Sequence, residues 1–191
     1  MPLLNLLNGG KLTSNDLDFQ EFRIFPIGAE TFSEAMAMGN AVNNELREIV
    51  IKKYGKIAAN VGDEGGFATP IVKVDEAMDF LVEAVGRAGY EKEIVYGLDC
   101  AATHFFNPET QKYTLEGTEL TTAELLDYYK NLIKKYPIKT IEDPFAEDDI
   151  EGFVRATKEL GIQIIGDDFL CTNPDRVRAR ARSSLRSRGI E

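Results

Sequence analysis

Residues 138–149 read IKTIEDPFAEDD, a β-favouring run from Ile138 to Ile141 that drops into Glu142, Asp143, Glu147, Asp148 and Asp149. The run is short, apolar and followed by a proline, which reads as a strand and a turn. Two other stretches end the same way. IVYGLD (94–99) finishes at Asp99, and IQIIGDD (162–168) finishes at Asp167 and Asp168. Helical patterns lie between them. Thr121-x-x-Glu124 is a capping box ahead of Leu125, Tyr128, Tyr129, Leu132 and Ile133. Residues 149–160 carry Ile150, Phe153, Val154 and Leu160, and Gly161 supplies the stop. Strands alternating with helices imply parallel crossovers and an α/β fold.

Working outward, residues 2–7 (PLLNLL) form an apolar run ended by Asn8-Gly9-Gly10. Residues 19–26 (FQEFRIFP) suit a second strand, with Phe19, Phe22, Ile24 and Phe25 near alternation. Thr31-x-x-Glu34 opens a helix to about Tyr54 that should bury Phe32, Ala35, Val42, Leu46, Ile49 and Val50. The Gly-rich loop NVGDEGGFATP follows. A helix over 73–88 then turns Met78, Leu81, Val82 and Val85 inward. The predicted order is β-β-α-α-β-α-β-α-β, with five strands.

Composition sets outer limits. A chain of 191 residues is long enough for one sizeable core. With 22 Lys plus Arg against 32 Asp plus Glu, the acidic balance argues against nucleic acid as the main partner. No run approaches the ~18 apolar residues of a membrane span. MPLLNLLNGG has no charged n-region and too short an apolar run for a secretory signal. Cys100 and Cys171 make no disulfide framework, and they read as reduced in a cytoplasmic protein. The end differs: residues 175–191 hold six Arg and no Lys, against four Arg and twelve Lys in 1–174. That tail reads as a basic arm, a disordered end, or a departure from the parent gene. The last is preferred.

In parallel α/β folds the carboxyl ends of the strands face one side, where active sites lie. The side chains at these three strand ends, Asp99, Glu142 and the pair Asp167 and Asp168, therefore converge in this reading. An acid after a strand is also the usual N-cap of the next helix, so each one alone says little. Gathered carboxylates repel and are costly to bury without a cation. An oxygen-only set suits a hard ion, Mg²⁺ above all, and the lack of Cys or His beside it argues against zinc. In VGDEGGF (61–67) the glycines bring the backbone close to a ligand, so Glu64 becomes a candidate general acid or base. Gln20-Glu21 is acidic in an apolar setting. By alternation one of the two faces inward, and a surface glutamate is the competing reading.

Together these segments resemble enolase, the phosphopyruvate hydratase of glycolysis. LNGG (7–10), LDFQEF (17–22), NVGDEGGF (60–67), GLDCAA (97–102), IEDPFAEDD (141–149) and QIIGDD (163–168) carry the resemblance, in order along the chain. It implies the first part of an enolase-type TIM barrel over 1–174, with five strands that do not close. It implies that Asp99, Glu142 and Asp167 are Mg²⁺ ligands and that Glu64 protonates the departing hydroxyl. Glu21 would assist, and Gln20 would lie in the substrate pocket with Glu21, Glu142 and Asp167. The implied reaction is the reversible dehydration of 2-phosphoglycerate to phosphoenolpyruvate. There Mg²⁺ stabilises the ene-diolate and a lysine or histidine takes the α-proton. A homo-oligomer is implied for an intact parent protein.

Four departures accompany the resemblance. The family's N-terminal domain is absent from these residues. The catalytic lysine strand and the phosphate ligands are replaced by the Arg-rich tail. Lys11-Leu12 stands where an active-site histidine follows the glycines, and Phe169-Leu170-Cys171 replaces a Leu-x-Val-like run. His104, Lys11 and Lys139 do not match the base position. The expectation is an enolase-like chain that is inactive alone, and unstable or paired with another chain because its sheet has open edges. The alternatives are one half of a split enolase, or a non-catalytic module that binds through its basic tail.

Overall fold

The structure is a computed structural model and describes residues 1–186. The elements in chain order are β1 (Leu4–Asn8), β2 (Glu21–Phe25), α1 (Phe32–Tyr54), α2 (Val74–Ala88), β3 (Val95–Asp99), β4 (Phe106–Asn107), β5 (Lys112–Leu115), β6 (Thr118–Leu120), α3 (Thr122–Lys135), β7 (Ile138–Glu142), α4 (Ile150–Glu159), β8 (Gln163–Ile165) and α5 (Pro174–Arg186). The five expected strands form one open sheet in the order β1-β2-β3-β7-β8. A small sheet, β4-β5-β6, was not anticipated, because strands of two to four residues leave too little alternation to read.

The expected parallel pairing holds for β3-β7 and β7-β8, each joined by one crossover helix. It does not hold at the start, where β1-β2 and β2-β3 are antiparallel. The cause is connectivity. A loop over residues 9–20, with one 3₁₀ turn, joins β1 to β2, and the helix pair α1 and α2 lies between β2 and β3, so neither connection is the single-helix crossover of a parallel pair.

The helices form where their caps and stripes direct. Thr31 accepts the Glu34 N–H at 3.1 Å, and Thr121 with Glu124 closes a full capping box. Val42 and Leu46 of α1, Leu81 and Val85 of α2, and Leu125 and Tyr129 of α3 share one core with Phe22, Ile24, Leu98 and Ile141 of the sheet. Phe32 departs from the expected stripe. It is the first residue of α1 and 69% exposed. Val82 is also exposed, one position round α2 from the buried Leu81.

The opposite face of the sheet is polar and set by register. Asn8, Glu21, Asp99, Glu142 and Ile165 stand side by side across the five strands. The row beneath is Asn5, Arg23, Gly97, Thr140 and Gln163. A bulge between Asn5 and Leu7 keeps Asn5 and Asn8 in line with these rows.

The Arg-rich tail begins as α5 rather than as an irregular end, and residues 187–191 lie outside the described residues. Arg176 meets Glu147 at 3.3 Å, and Arg180 meets Asp148 at 3.1 Å while lying 4.8 Å from the centre of the Phe169 ring. These two arginines are spent on the acids that open α4.

Gly97 lets the two rows pack. A methyl group there would strike Thr140 Oγ1 and come within 2.5 Å of the Phe25 ring. Gly97→Ala is therefore expected to destabilise the fold by ~1–3 kcal/mol, read as a lower urea midpoint at unchanged slope.

Candidate functional site

The strand ends bring carboxylates together around one cation. Glu21 opens β2 opposite Asp99, the last residue of β3, and Glu142 ends β7 beside Asp99. Residues 21 and 23 share a face of β2, so Arg23 points to the same side as Glu21. Arg23 is buried. Its Nε donates to Glu21 Oε2 at 2.6 Å, its Nη2 to Asp99 Oδ2 at 3.1 Å, and its Nη1 to Glu142 Oε2. Gln20 Nε2 adds a longer contact to Asp99 Oδ2, 3.4 Å, and the Ala101 N–H donates to Asp99 Oδ1 at 3.0 Å.

Charge explains the protonation behaviour. Burial would lower the Arg23 pKa, but hydrogen bonds to Glu21 and Glu142 outweigh it and hold the guanidinium firmly charged. One positive charge does not balance three carboxylates. Burial, with Glu142 adding repulsion, pushes Asp99 up to about 8 despite Arg23.

Glu64 approaches from the Gly-rich loop. A turn closes from the Gly65 N–H to the Gly62 carbonyl at 3.1 Å, and Phe67 pairs with the β1 backbone. Gly65 has φ +84°, a conformation glycine adopts without the Cβ penalty. Asn8, fully buried, ties the loop down: its Oδ1 accepts the Gly66 N–H at 2.9 Å, and its Nδ2 donates to the Gln20 carbonyl at 3.2 Å. Asn15 Nδ2 donates to the carbonyls of Asn8 and Thr69, at 2.9 and 2.8 Å. The Glu64 carboxyl hydrogen-bonds Glu21. That bond first, then burial, pushes Glu64 up to about 7. For Glu21 burial pulls upward, but the bonds from Arg23 and Glu64 leave it below the usual range.

Asp143 is buried just beyond Glu142, and its φ of +41° breaks the strand. Its carboxylate accepts the N–H groups of Asp167, Asp168 and Phe169, at 3.1, 2.8 and 3.4 Å. It thereby holds the end of β8. Burial pushes it up to about 6. The left-handed turn also brings one of its oxygens into a group with Asp99 and Glu142, all within 4.8 Å of one another. Strict alternation could not foresee that. Asp167 lies two residues past β8 with an exposed side chain, and it is not in that group. His104 is exposed in a short 3₁₀ turn.

Arg23 and Asn8 went unassigned in the sequence reading. The signal for Arg23 was present, a basic residue two positions from Glu21 on a strand, but its carboxylate partners Asp99 and Glu142 lie 76 and 119 residues away.

The donors are all oxygens, the group is buried, and its negative charge exceeds the resident positive charge. These residues fit a hard divalent cation. An open α/β sheet with carboxylates at the carboxyl ends of its parallel strands, beside the Glu64 carboxyl on a Gly-rich loop, places acidic groups where α/β barrels carry their sites. Comparison with known proteins narrows that class. Residues 1–185 match the enolase C-terminal TIM barrel domain. The chain is 54% identical over 178 residues to the enolase of Methanocaldococcus jannaschii and 52% identical over 182 residues to that of Pyrococcus furiosus. Each match covers 93% of this chain and 42% of the relative, so the chain spans less than half the length of these curated relatives. The chain belongs to the enolase family.

The raised Glu64 pKa gives a measurable signature. The Glu64 carboxyl should titrate near 7 by carbon-detected NMR, and Glu21→Gln should bring it back toward 4.5. A carboxyl raised on folding binds more protons in the native state, so its share of stability is full below 4.5 and is lost as pH rises through 7. Glu64→Gln should flatten the stability profile across that window.

Proposed function

We propose that this chain carries the acid side and the metal ligands of an enolase centre, acting in the reversible dehydration of 2-phosphoglycerate to phosphoenolpyruvate, a carbon–oxygen lyase step of glycolysis. The observation that supports it best is Glu64, a carboxyl pushed up to about 7 beside the buried carboxylates of Glu21 and Asp99 and the half-buried one of Glu142.

In this reading Asp99, Glu142 and Asp167 hold Mg²⁺, with Asp143 fixing the backbone that carries Asp167. Bound there, Mg²⁺ would supply positive charge for the carboxylate of the substrate. The protein groups do the rest. Glu64 gives its proton to the departing 3-hydroxyl, and a pKa near neutrality suits a group that must both hold and release a proton. Glu21 steadies that proton from below, and Gln20 orients the substrate at the rim. Asn8 and Asn15 act as positioning residues, because they fasten the Glu64 loop to β1.

No residue of the 191 matches the base that removes the α-proton. The chain by itself is therefore expected to bind the ion without turning over 2-phosphoglycerate. Family membership favours a small-molecule substrate. Among the described residues no helix is long and apolar enough to cross a membrane. The pairing of Arg176 and Arg180 within the chain weighs against the basic-tail binding module.

A magnesium titration followed by calorimetry tests the reading. Asp99→Ala and Glu142→Ala should each weaken binding at least ~10-fold, since each removes a charged ligand. Asp167→Ala should do the same if its exposed carboxylate turns inward to the ion. Binding indifferent to all three changes would remove the metal assignment.

A further inference from the structure

We infer that Arg23 is a resident counter-cation that a divalent ion must displace, and that Arg23 thereby sets the metal affinity of the centre. The inference rests on the metal reading above. The guanidinium already holds Asp99 Oδ2 and Glu142 Oε2, on two of the carboxylates proposed as ligands. A divalent ion placed on these carboxylates would sit against the guanidinium and be repelled by it. Both cations cannot keep the same oxygens.

The row beneath holds polar groups that lie in register with Arg23. In register it is flanked by Asn5 on β1 and, across Gly97, by Thr140 on β7. Asn5 Oδ1 and Nδ2 and Thr140 Oγ1 are buried without hydrogen-bond partners. Thr140 is 7% exposed, so water does not readily satisfy it. Buried polar groups without partners are rare in folded proteins. Asn5 Oδ1 and Thr140 Oγ1 are acceptors without partners in the same row as the single guanidinium that would need new ones. The ring of Phe25, together with Thr140 Oγ1, fills the space over Gly97, so Arg23 would reach this row only as Phe25 gives way, with the unpartnered Thr140 Oγ1 as the acceptor to receive it.

The test uses the full chain and magnesium alone as the probe, with Arg23→Met, Arg23→Lys and Thr140→Val. Calorimetry should show Arg23→Met binding Mg²⁺ at least ~10-fold more tightly than the native chain, in line with the coupling of close charge pairs. Arg23→Lys, which keeps the charge, should stay near the native affinity. Thr140→Val should weaken magnesium binding in the native background and leave it unchanged in Arg23→Met. That non-additivity would mark Thr140 as acting through Arg23. Should Arg23→Met fail to fold, the Arg23 Nε–Hε resonance of the native chain decides, since displacement moves it on adding magnesium. Unchanged or weaker binding in Arg23→Met, or a resonance that stays still while magnesium binds, overturns the inference and leaves the metal centre standing. Binding that is absent, or that ignores Asp99→Asn and Glu142→Gln, overturns both.

Discussion

A single buried guanidinium faces three carboxylates brought in by three neighbouring strands. That imbalance organises the polar side of this molecule. Glu21, Asp99 and Glu142 are adjacent because β2, β3 and β7 pair in one register, and a slip of one residue would turn any of them toward the apolar core. Arg23 is the clamp that makes the register tolerable in electrostatic terms. Without it three acids would be buried side by side, each at the cost of desolvation and mutual repulsion. With it a deficit remains, and Asp99 carries that deficit as a raised pKa.

The two faces of the sheet divide the work. Phe22, Ile24, Leu98 and Ile141 look toward the helices and join one core, which fixes where the strands lie. The residues between them look the other way and are free to be polar. The connections reinforce this division. Tyr113 of β5 and Thr122 of α3 both donate to Asp149 Oδ2 at 2.8 Å, and Tyr129 donates to the Pro144 carbonyl at 2.7 Å. The turn that leaves Glu142 is thus held from the helix side. Asp149 Oδ1 meanwhile caps α4 through the Gly152 N–H at 2.8 Å. The acidic run at 142–149 therefore separates into a site carboxylate, a backbone anchor at Asp143, two partners for α5 arginines and a helix cap.

Much of this was legible beforehand, for physical reasons that can be named. Capping boxes at Thr31 and Thr121 placed two helices, and β-favouring runs ending in acid placed β3, β7 and β8. Strict local periodicity, however, carries no information about partners distant in the chain. It could not reveal that Arg23 joins Asp99 and Glu142, nor that Asn8 reaches the Gly-rich loop. It also assumes ideal geometry. Asp143 departs from the strand into a left-handed conformation, so alternation alone could not bring its carboxylate near Glu142. Phe32 fell outside the buried stripe at the first position of α1, where it stays exposed. The small sheet and the helix of the Arg-rich segment were missed because neither shows a pattern of its own. The small sheet is pinned through Tyr113 and α5 through its arginines, and both sets of partners lie elsewhere in the chain.

The two halves of the site are built by different means, and this bears on how each can move. The carboxylates of Asp99 and Glu142 stand on paired strands, and the hydrogen bonds that fix them run through a continuous sheet. Glu64 stands on a loop with exposed glycine at its tip, fastened at its base by Asn8 and Asn15. A proton donor on a loop can approach and withdraw while the strand-borne acids stay put. Its pKa depends first on the hydrogen bond to Glu21, so withdrawal would also release the proton. Glu21 in turn is held low by Arg23. Arg23 therefore touches both the strand acids Asp99 and Glu142 and Glu21, the partner of the loop acid. Whatever draws Arg23 off the carboxylates also alters the partner that keeps Glu64 protonated.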